Sequence, residues 1–129
     1  MTDVAYLDAS AIVKLVRVEP DSPGMLRLYQ DSERLVTNRI GVIESHRAAR
    51  RGEGDLDQLA AVLDRLEVFE LDTEIELRAG SIGPTSLRTL DAIHLATALS
   101  IPGLGSFVTY DDRLAEAARH VGLPVVRPS

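Results

Sequence analysis

Short apolar segments alternate with longer amphipathic segments along the whole chain, and this alternation limits the possible folds more than any other feature. The apolar segments are three or four residues long and bounded by turn or capping residues. The segments between them carry apolar residues at helical spacing. Alternating strands and helices are typical of an α/β fold with a parallel sheet. We therefore predict an α/β fold with a central parallel β-sheet of about four or five strands, flanked by helices.

The turn and capping residues bound the predicted elements. Strands are predicted at residues 4–7, 34–37, 68–71, 106–109 and 124–126. Helices are predicted from residue 9 or 10 to 18, from 22 or 23 to 31, at 39–51 (capped by Asn38), at 56–66 (capped by Asp55), from 72 or 73 to 78, at 90–99 (capped by Thr89), and from Asp111 or Asp112 to 121. A loop is predicted at 80–86. Neither an internal repeat nor a linker rich in Gly, Pro or Ser divides the sequence, so residues 1–129 are expected to form a single domain.

The composition excludes several kinds of site. The chain has no cysteine, which rules out disulfides, thiolate zinc sites and cysteine nucleophiles. A net charge of −6 and 4% aromatic residues argue against a nucleic-acid binder that depends on a basic face or on base stacking.

The acidic N-terminus lacks the features of a targeting segment, and the apolar runs fall short of the roughly 20 residues of a membrane span. A cytoplasmic protein with no membrane contact is expected.

Carboxylates directly follow two of the predicted strands. Asp8 follows the first strand, and Asp111 and Asp112 follow the strand that ends at Thr109. Ligands of parallel α/β sheets bind outside the carboxyl ends of the strands, although an Asp there can simply cap the next helix. One of the paired acids is enough for a cap. Asp111 is nearer to the strand and is our choice for the site, with Asp112 as its possible substitute.

Two further acids lie on apolar faces of predicted helices. Glu44 shares its helix face with apolar residues one turn before and after it, and an ion pair with Arg47 is the alternative explanation. Asp91 lies in the first turn of its helix, where an acid also stabilises the helix dipole. His94, one turn after Asp91, is expected to be a structural histidine. Four clustered carboxylates would repel one another unless a cation joined them, and oxygen ligands without cysteine favour Mg²⁺ or Mn²⁺.

Four sequence motifs resemble the PIN-domain family, most of all the VapC-type toxins of toxin–antitoxin pairs. The motifs are YLDASAIVKL with Asp8, IESHRAARR with Glu44, LRTLDAIHLATAL with Asp91, and FVTYDDRLAEAARHVGL with Asp111. They occur in the family's order and span essentially the whole chain. The third and fourth motifs are the most specific.

The resemblance implies an endoribonuclease that depends on Mg²⁺ or Mn²⁺ and hydrolyses RNA phosphodiesters with a metal-activated water. It implies that Asp8, Asp91 and Asp111 are metal ligands and that Glu44 completes the pocket through a metal-bound water. Ser10 and Thr109 would be supporting hydrogen-bond donors. The implied partners are RNA, a cognate VapB-type antitoxin and a second copy in a homodimer.

The number of arginines weakens the argument that the net negative charge excludes contact with nucleic acid. Without the four acids of the predicted site the net charge is −2, and thirteen of the fourteen basic residues are arginine. Arg47, Arg50 and Arg51 follow Glu44 on one helix and are candidate RNA-binding residues, although a solvated helix face would look the same.

Two other functions are weighed against a nuclease. A non-catalytic RNA- or protein-binding module would gain nothing from clustered carboxylates. An aspartate-nucleophile phosphatase of the haloacid-dehalogenase type needs a second Asp two residues after Asp8, where this chain has Ser10.

Overall fold

A computed structural model describes residues 4–52 and 54–129. Within these residues the chain forms five strands and seven helices. The strands are β1 (Val4–Leu7), β2 (Arg34–Asn38), β3 (Glu67–Phe69), β4 (Ser106–Val108) and β5 (Val125–Val126). The helices are α1 (Ala9–Val13), α2 (Ser22–Asp31), α3 (Arg39–Arg51), α4 (Leu56–Asp64), α5 (Thr73–Ser81), α6 (Thr89–Leu99) and α7 (Asp112–His120).

The five strands form one sheet in the order β3-β2-β1-β4-β5, and every neighbouring pair is parallel. This confirms the predicted α/β fold and its strand count. The chain starts at the central strand β1, builds the sheet outward through β2 and β3, and then returns to the other side of β1 to form β4 and β5. The direction of winding therefore reverses between β1 and β4. In open α/β sheets a ligand crevice lies at this reversal, outside the carboxyl ends of the two strands.

Apolar clusters cover both faces of the sheet. Side chains alternate along β1, so that Ala5 and Leu7 face one cluster while Val4 and Tyr6 face the other. The first cluster includes buried residues of α1, α3 and α4, and the second includes buried residues of α6 and α7. In the second cluster the Tyr6 ring stacks on Phe107 of β4 with the ring centroids 5.2 Å apart. Burial on both faces explains why the central strands consist of short apolar runs.

Helices begin directly after strands because polar residues at the strand ends cap them. The carboxylate of Asp8 accepts from the Ala11 backbone N–H, and the Asn38 side chain accepts from Ile40. Asp111 caps α7 in the same way through Arg113 and Leu114. Each cap satisfies backbone donors that a helix start leaves unpaired. The chain therefore passes from strand to helix within one residue after β1 and β2, and within three residues after β4.

Several predicted boundaries differ from the structure. Helix α1 ends at Val13 instead of residue 18. After Val13 the backbone forms turns in which an N–H donates to the carbonyl three residues earlier, as Lys14 does to Ala11. Helix α4 stops at Asp64 instead of 66. Helix α5 extends three residues beyond 78, so the predicted loop at 80–86 begins only after Ser81.

Smaller differences affect a strand and a cap. Strand β3 spans Glu67–Phe69 instead of residues 68–71. Thr89 is the first residue of α6 instead of its cap, and Arg88 holds the cap position without a side-chain bond. None of the helices in residues 4–52 and 54–129 is long and apolar enough to cross a bilayer.

Candidate active site

Asp8 lies at the reversal point between β1 and β4 and is only 4% exposed. Its Oδ1 accepts hydrogen bonds from the Ser10 hydroxyl at 2.7 Å and from the Ala11 N–H at 2.9 Å. Its Oδ2 accepts from the Thr109 hydroxyl at 2.5 Å. Burial raises the pKa of Asp8, and the hydrogen bonds from Thr109 and Ser10 oppose this shift. A buried carboxylate held by neutral donors is well oriented, and among residues 4–52 and 54–129 Asp8 has no ion-pair partner within 4 Å.

Asp111 lies at the end of the neighbouring strand β4. Its Oδ1 accepts from the N–H groups of Arg113 and Leu114. Its own N–H donates to the Thr109 hydroxyl oxygen at 3.1 Å. Because the same Thr109 hydroxyl donates to Asp8, one side chain connects the ends of β1 and β4.

Of the two neighbouring acids, only Asp111 faces this edge of the site. Its Oδ2 lies 3.6 Å from the Arg88 guanidinium. The Asp112 side chain is 88% exposed and pairs with Arg127 at 2.7 Å. We expected that one acid would cap α7 and the other would serve the site. In the structure Asp111 is the cap and is also the acid beside Arg88, so the two tasks fall on one residue.

Arg88 bridges two acids of the predicted site. Its Nε lies 3.2 Å from Asp91 Oδ2, and its Nη2 lies 3.6 Å from Asp111 Oδ2. Asp91 is half-buried in the first turn of α6, whereas the Arg88 side chain is 52% exposed. The guanidinium thus occupies the position of a cation between two carboxylates. Nothing in the local sequence pattern led us to Arg88.

Glu44 pairs with His94 and not with Arg47, its alternative partner one turn along α3. Its Oε1 lies 2.7 Å from Nε2 of His94, which is 2% exposed. The other ring nitrogen, Nδ1, lies 2.7 Å from the hydroxyl of the buried Tyr6. Burial raises the pKa of Tyr6 well above its ordinary value, so its hydroxyl keeps its proton. The expectation of a structural histidine missed the bond to Glu44, because that contact spans 50 residues of sequence.

The acids are not arranged as a finished metal cage. Among the described residues, no group of three or more His, Asp or Glu side chains is close enough together to hold a metal ion. Each predicted acid is instead held by a protein donor: the Ser10 and Thr109 hydroxyls, His94, or Arg88. The donor set nevertheless suits a hard divalent cation, since it contains only carboxylate and hydroxyl oxygens. The buried Asp8 and the guanidinium between Asp91 and Asp111 both indicate a place for positive charge.

Two grooves open beside these acids. A groove of about 600 Å³ between α1 and α3 is lined by Ser10 and Glu44, and basic side chains continue along it, namely Lys14, Arg17, Arg47 and Arg51. A second groove of about 570 Å³ beside α6 and α7 is lined by Arg88, Asp91 and Arg113. The candidate site thus adjoins two separate grooves, which have no lining residue in common.

The predicted RNA-binding arginines lie on the last turns of α3. Arg47 and Arg51 line the groove that also contains Glu44, whereas Arg50 does not. All three side chains are exposed. Lys14 and Arg17 at the same groove are paired with Glu19.

Ser10 occupies the position at which the phosphatase alternative needs its second Asp. Its hydroxyl donates to Asp8 and accepts from the Tyr110 N–H at 2.8 Å. A hydroxyl tied in this way supports Asp8 but supplies no second carboxylate.

Comparison with known proteins identifies the family. The PIN domain family model matches residues 5–120. The chain is 41% identical over 129 residues to Ribonuclease VapC35 of Mycobacterium tuberculosis, covering 95% of this chain and 96% of the relative. It is 40% identical over 126 residues to Ribonuclease VapC46 of the same species, covering 96% and 97%.

Solved structures share the fold at low sequence identity. The M. tuberculosis toxin VapC20, described as cleaving the sarcin–ricin loop, aligns with a TM-score of 0.74 and 17% identity over 96% of this chain and 99% of that one. VapBC2 of Rickettsia felis, bound to a promoter DNA fragment, aligns with a TM-score of 0.66 and 15% identity over 98% and 99%. The family match, the curated relatives and the shared fold agree: the chain belongs to the PIN-domain family, and within it to the VapC-type ribonucleases.

Proposed function

We propose that the protein is a metal-dependent endoribonuclease and the toxin of a VapBC-type toxin–antitoxin pair. The observation that carries this proposal is the buried carboxylate of Asp8 at the reversal point of the sheet, which has no ion-pair partner in the described part of the chain and is tied to Asp111 through Thr109. Such an arrangement stabilises a bound cation better than it stabilises the metal-free protein. The ribonuclease names of the curated relatives support the same chemistry.

In this proposal Asp8, Asp91 and Asp111 hold Mg²⁺ or Mn²⁺. A metal bound there would supply Lewis acidity, which lowers the pKa of water and neutralises charge on a phosphate. Ser10 and Thr109 fix the two oxygens of Asp8, so that its remaining lone pairs point in defined directions. Asp112 is left out because its side chain lies in solvent beside Arg127.

Glu44 acts on water in this scheme. His94 engages its Oε1, and the other oxygen is left to accept a hydrogen bond from the attacking water. Arg47 and Arg51 in the same groove bind phosphates of the RNA on either side of the scissile bond, with Arg50 as an outer contact. Recognition of this kind depends on the backbone and needs no base stacking, in keeping with the low aromatic content.

The proposed partners follow from the family. We infer that a VapB-type antitoxin neutralises the protein and that two copies form a homodimer. Residues 1–129 would act as one catalytic domain in the cytoplasm, where its RNA substrate is found. Light scattering of the purified protein, alone and with an antitoxin encoded beside its gene, would test both assemblies.

RNA cleavage by the purified protein tests the proposed activity. Total bacterial RNA is incubated with Mg²⁺ or Mn²⁺, with EDTA, and with the variants Asp8→Asn and Asp112→Asn. We expect discrete products with metal and none with EDTA or Asp8→Asn. Asp112→Asn, which also removes one negative charge, should cleave like the wild type.

The outcomes separate the candidate functions. Cleavage that persists in EDTA or in Asp8→Asn would contradict the metal mechanism. Binding of RNA without cleavage under every metal condition would instead favour the non-catalytic binding module.

A further inference from the structure

A buried hydrogen-bond chain connects the centre of the sheet to Glu44. Tyr6 of β1, His94 of α6 and Glu44 of α3 are joined by two contacts of 2.7 Å. Tyr6 and His94 are buried, whereas Glu44 is half-buried and lines the groove of Arg47 and Arg51. The chain therefore runs from the core to the edge of the candidate site.

The donors and acceptors along this chain determine which ring nitrogen carries the proton. A carboxylate can only accept, so Nε2 of His94 must carry the hydrogen in its contact with Oε1 of Glu44. In a neutral imidazole Nδ1 is then the acceptor, and the Tyr6 hydroxyl donates to it. In the neutral tautomer with hydrogen on Nε2, both ring nitrogens of His94 have a hydrogen-bond partner.

The His94 ring is buried and packs closely against the start of α3. A Cβ on Gly41, in the first turn of α3, would lie 3.3 Å from Cε1 of His94 and 2.4 Å from the Thr37 hydroxyl oxygen. A side chain at that position would therefore collide with Thr37 and would also crowd the edge of the ring. The orientation of the imidazole, and with it the direction of the Nε2–H bond, is thus set by the fold.

A nearby polar pair shows what a purely structural contact looks like here. The Asn38 amide donates to Thr97, and Thr97 donates to the Ile93 carbonyl, so both side chains are satisfied inside the core. His94 instead directs its only outward bond to a carboxylate at the groove. That carboxylate is on a long side chain that would otherwise move among several rotamers.

We propose that His94, fixed as the Nε2–H tautomer by Tyr6, is a positioning residue that holds Glu44 in its working orientation. This inference rests on the proposed function only in that Glu44 serves the cleavage reaction. With Oε1 held by His94, Glu44 presents its second oxygen to the attacking water. His94 itself does not touch RNA or metal.

The first test measures the tautomer without RNA or metal. Long-range ¹H–¹⁵N NMR of histidine-labelled protein in EDTA at neutral pH should show Nε2 protonated and Nδ1 unprotonated for His94. A proton on Nδ1 would overturn the proposal. Because this measurement needs no substrate, its failure is distinguishable from failure of the nuclease proposal.

The second test compares variants in RNA cleavage with Mn²⁺, using a fluorescent oligonucleotide that spans a cleavage site mapped in total RNA. His94→Leu should lower kcat about 10- to 100-fold with little change in KM, the usual cost of removing a residue that orients a site group. His94→Gln keeps an N–H donor near the Nε2 position and should recover part of the loss. His46→Gln, on the exposed side of the same helix as Glu44, is the matched control and should behave like the wild type.

A background variant separates positioning from folding. In Glu44→Gln protein, His94→Leu should cost less than about two-fold, because the carboxylate that it positions is already absent. An equal loss in both backgrounds, or a loss in His94→Gln as large as in His94→Leu, would contradict the positioning role. Circular dichroism of each variant verifies that the fold is retained.

Discussion

The two sides of the acidic site hold their carboxylates by different means. On the inner side, the hydroxyls of Ser10 and Thr109 hold Asp8, and the buried His94 ring holds Glu44. On the outer side, the exposed guanidinium of Arg88 holds Asp91 and Asp111. Asp8 is thus oriented by uncharged hydroxyls, whereas Asp91 and Asp111 are paired with an exposed guanidinium.

This difference suggests a division of tasks. Donors that the surrounding packing already holds in place can orient a carboxylate without losing further mobility of their own. An exposed ion pair contributes only about 0–1 kcal/mol and is screened by salt. In the proposed mechanism, a cation that enters the site would displace Arg88 at small cost and would meet an inner side whose carboxylates are already oriented.

The largest effect is expected from Asp8→Asn, which removes the inner charge but keeps the hydrogen-bonding shape. Its Oδ1 still accepts from Ser10 and Ala11, and its amide can donate to the Thr109 oxygen. Cleavage should fall by more than the roughly 10- to 100-fold typical of an outer-shell change, because a proposed ligand is lost. Initial rates with Mn²⁺ measure this effect.

The same variant should gain stability without metal. Because burial raises the pKa of Asp8, the ionised carboxylate destabilises the folded metal-free protein at pH 7. In EDTA, Asp8→Asn should melt a few degrees above the wild type. The gain should shrink as the pH falls through the raised pKa of the folded protein, and it should be gone below 3.8, the ordinary value, because Asp8 is then neutral in both states. A lower melting temperature for the variant at pH 7 would contradict this view of the inner side.

Thr109→Val should have the next largest effect, because Thr109 serves both sides. Its hydroxyl donates to Asp8 and accepts from the Asp111 N–H, and valine keeps the shape without the hydroxyl. Activity should fall about 10- to 100-fold. Ser10→Ala should cost less, since Oδ1 of Asp8 keeps its bond from Ala11. Kinetics that reverse this order would show that Ser10 is the main support.

Arg88→Ala should affect the two metal states in opposite ways. Without Arg88 the outer carboxylates lose their counter-charge, so the melting temperature in EDTA should fall slightly. Mn²⁺ should bind about two- to five-fold more tightly, because exposed pairs worth about 0.5–1 kcal/mol no longer compete with it. Calorimetry and thermal melts measure both changes.

Arg113→Ala is the matched control for charge, because Arg113 lines the same outer groove as Arg88. This variant should leave Mn²⁺ affinity unchanged. Weaker Mn²⁺ binding in Arg88→Ala would mean that Arg88 supports the loaded site.

The smallest effect is expected at the arginines of α3. Arg47 lines the groove of Glu44, whereas Arg50 does not. Arg47→Ala should reduce the slope of the logarithm of RNA affinity against the logarithm of salt concentration by about one, which corresponds to the loss of a single phosphate contact. Arg50→Ala should reduce this slope by less. Filter binding over a range of salt concentrations measures the slopes. Equal slopes for both variants would show that this groove does not follow the RNA backbone.

The sequence was informative where local position determines the role. The parallel sheet followed from the alternation of elements, and Asp8 and Asp111 followed from their places at strand ends. Local capping chemistry also explains why Asn38 and Asp111 start their helices. Helix α1 was predicted five residues too long because apolar spacing continues to Val18, whereas the backbone turns after Val13 to let Val16 accept from the Asp55 N–H.

The contacts that hold the acids were not predictable from local pattern. Glu44 and His94 are 50 residues apart, and Tyr6 and His94 are 88 apart. Arg88 lies three residues before Asp91, but its second contact, to Asp111, depends on how α6 and α7 meet the sheet. Such long-range contacts are set by packing, which periodicity and capping rules do not describe.

Mn²⁺ binding by isothermal titration calorimetry tests most directly whether the two sides form one metal site. Wild type, Asp8→Asn, Asp111→Asn and Asp112→Asn are titrated without RNA. We predict that wild type and Asp112→Asn bind alike, and that Asp8→Asn and Asp111→Asn bind about ten-fold or more weakly. Wild-type affinity in either Asp8→Asn or Asp111→Asn would contradict a single site shared by the inner and outer carboxylates.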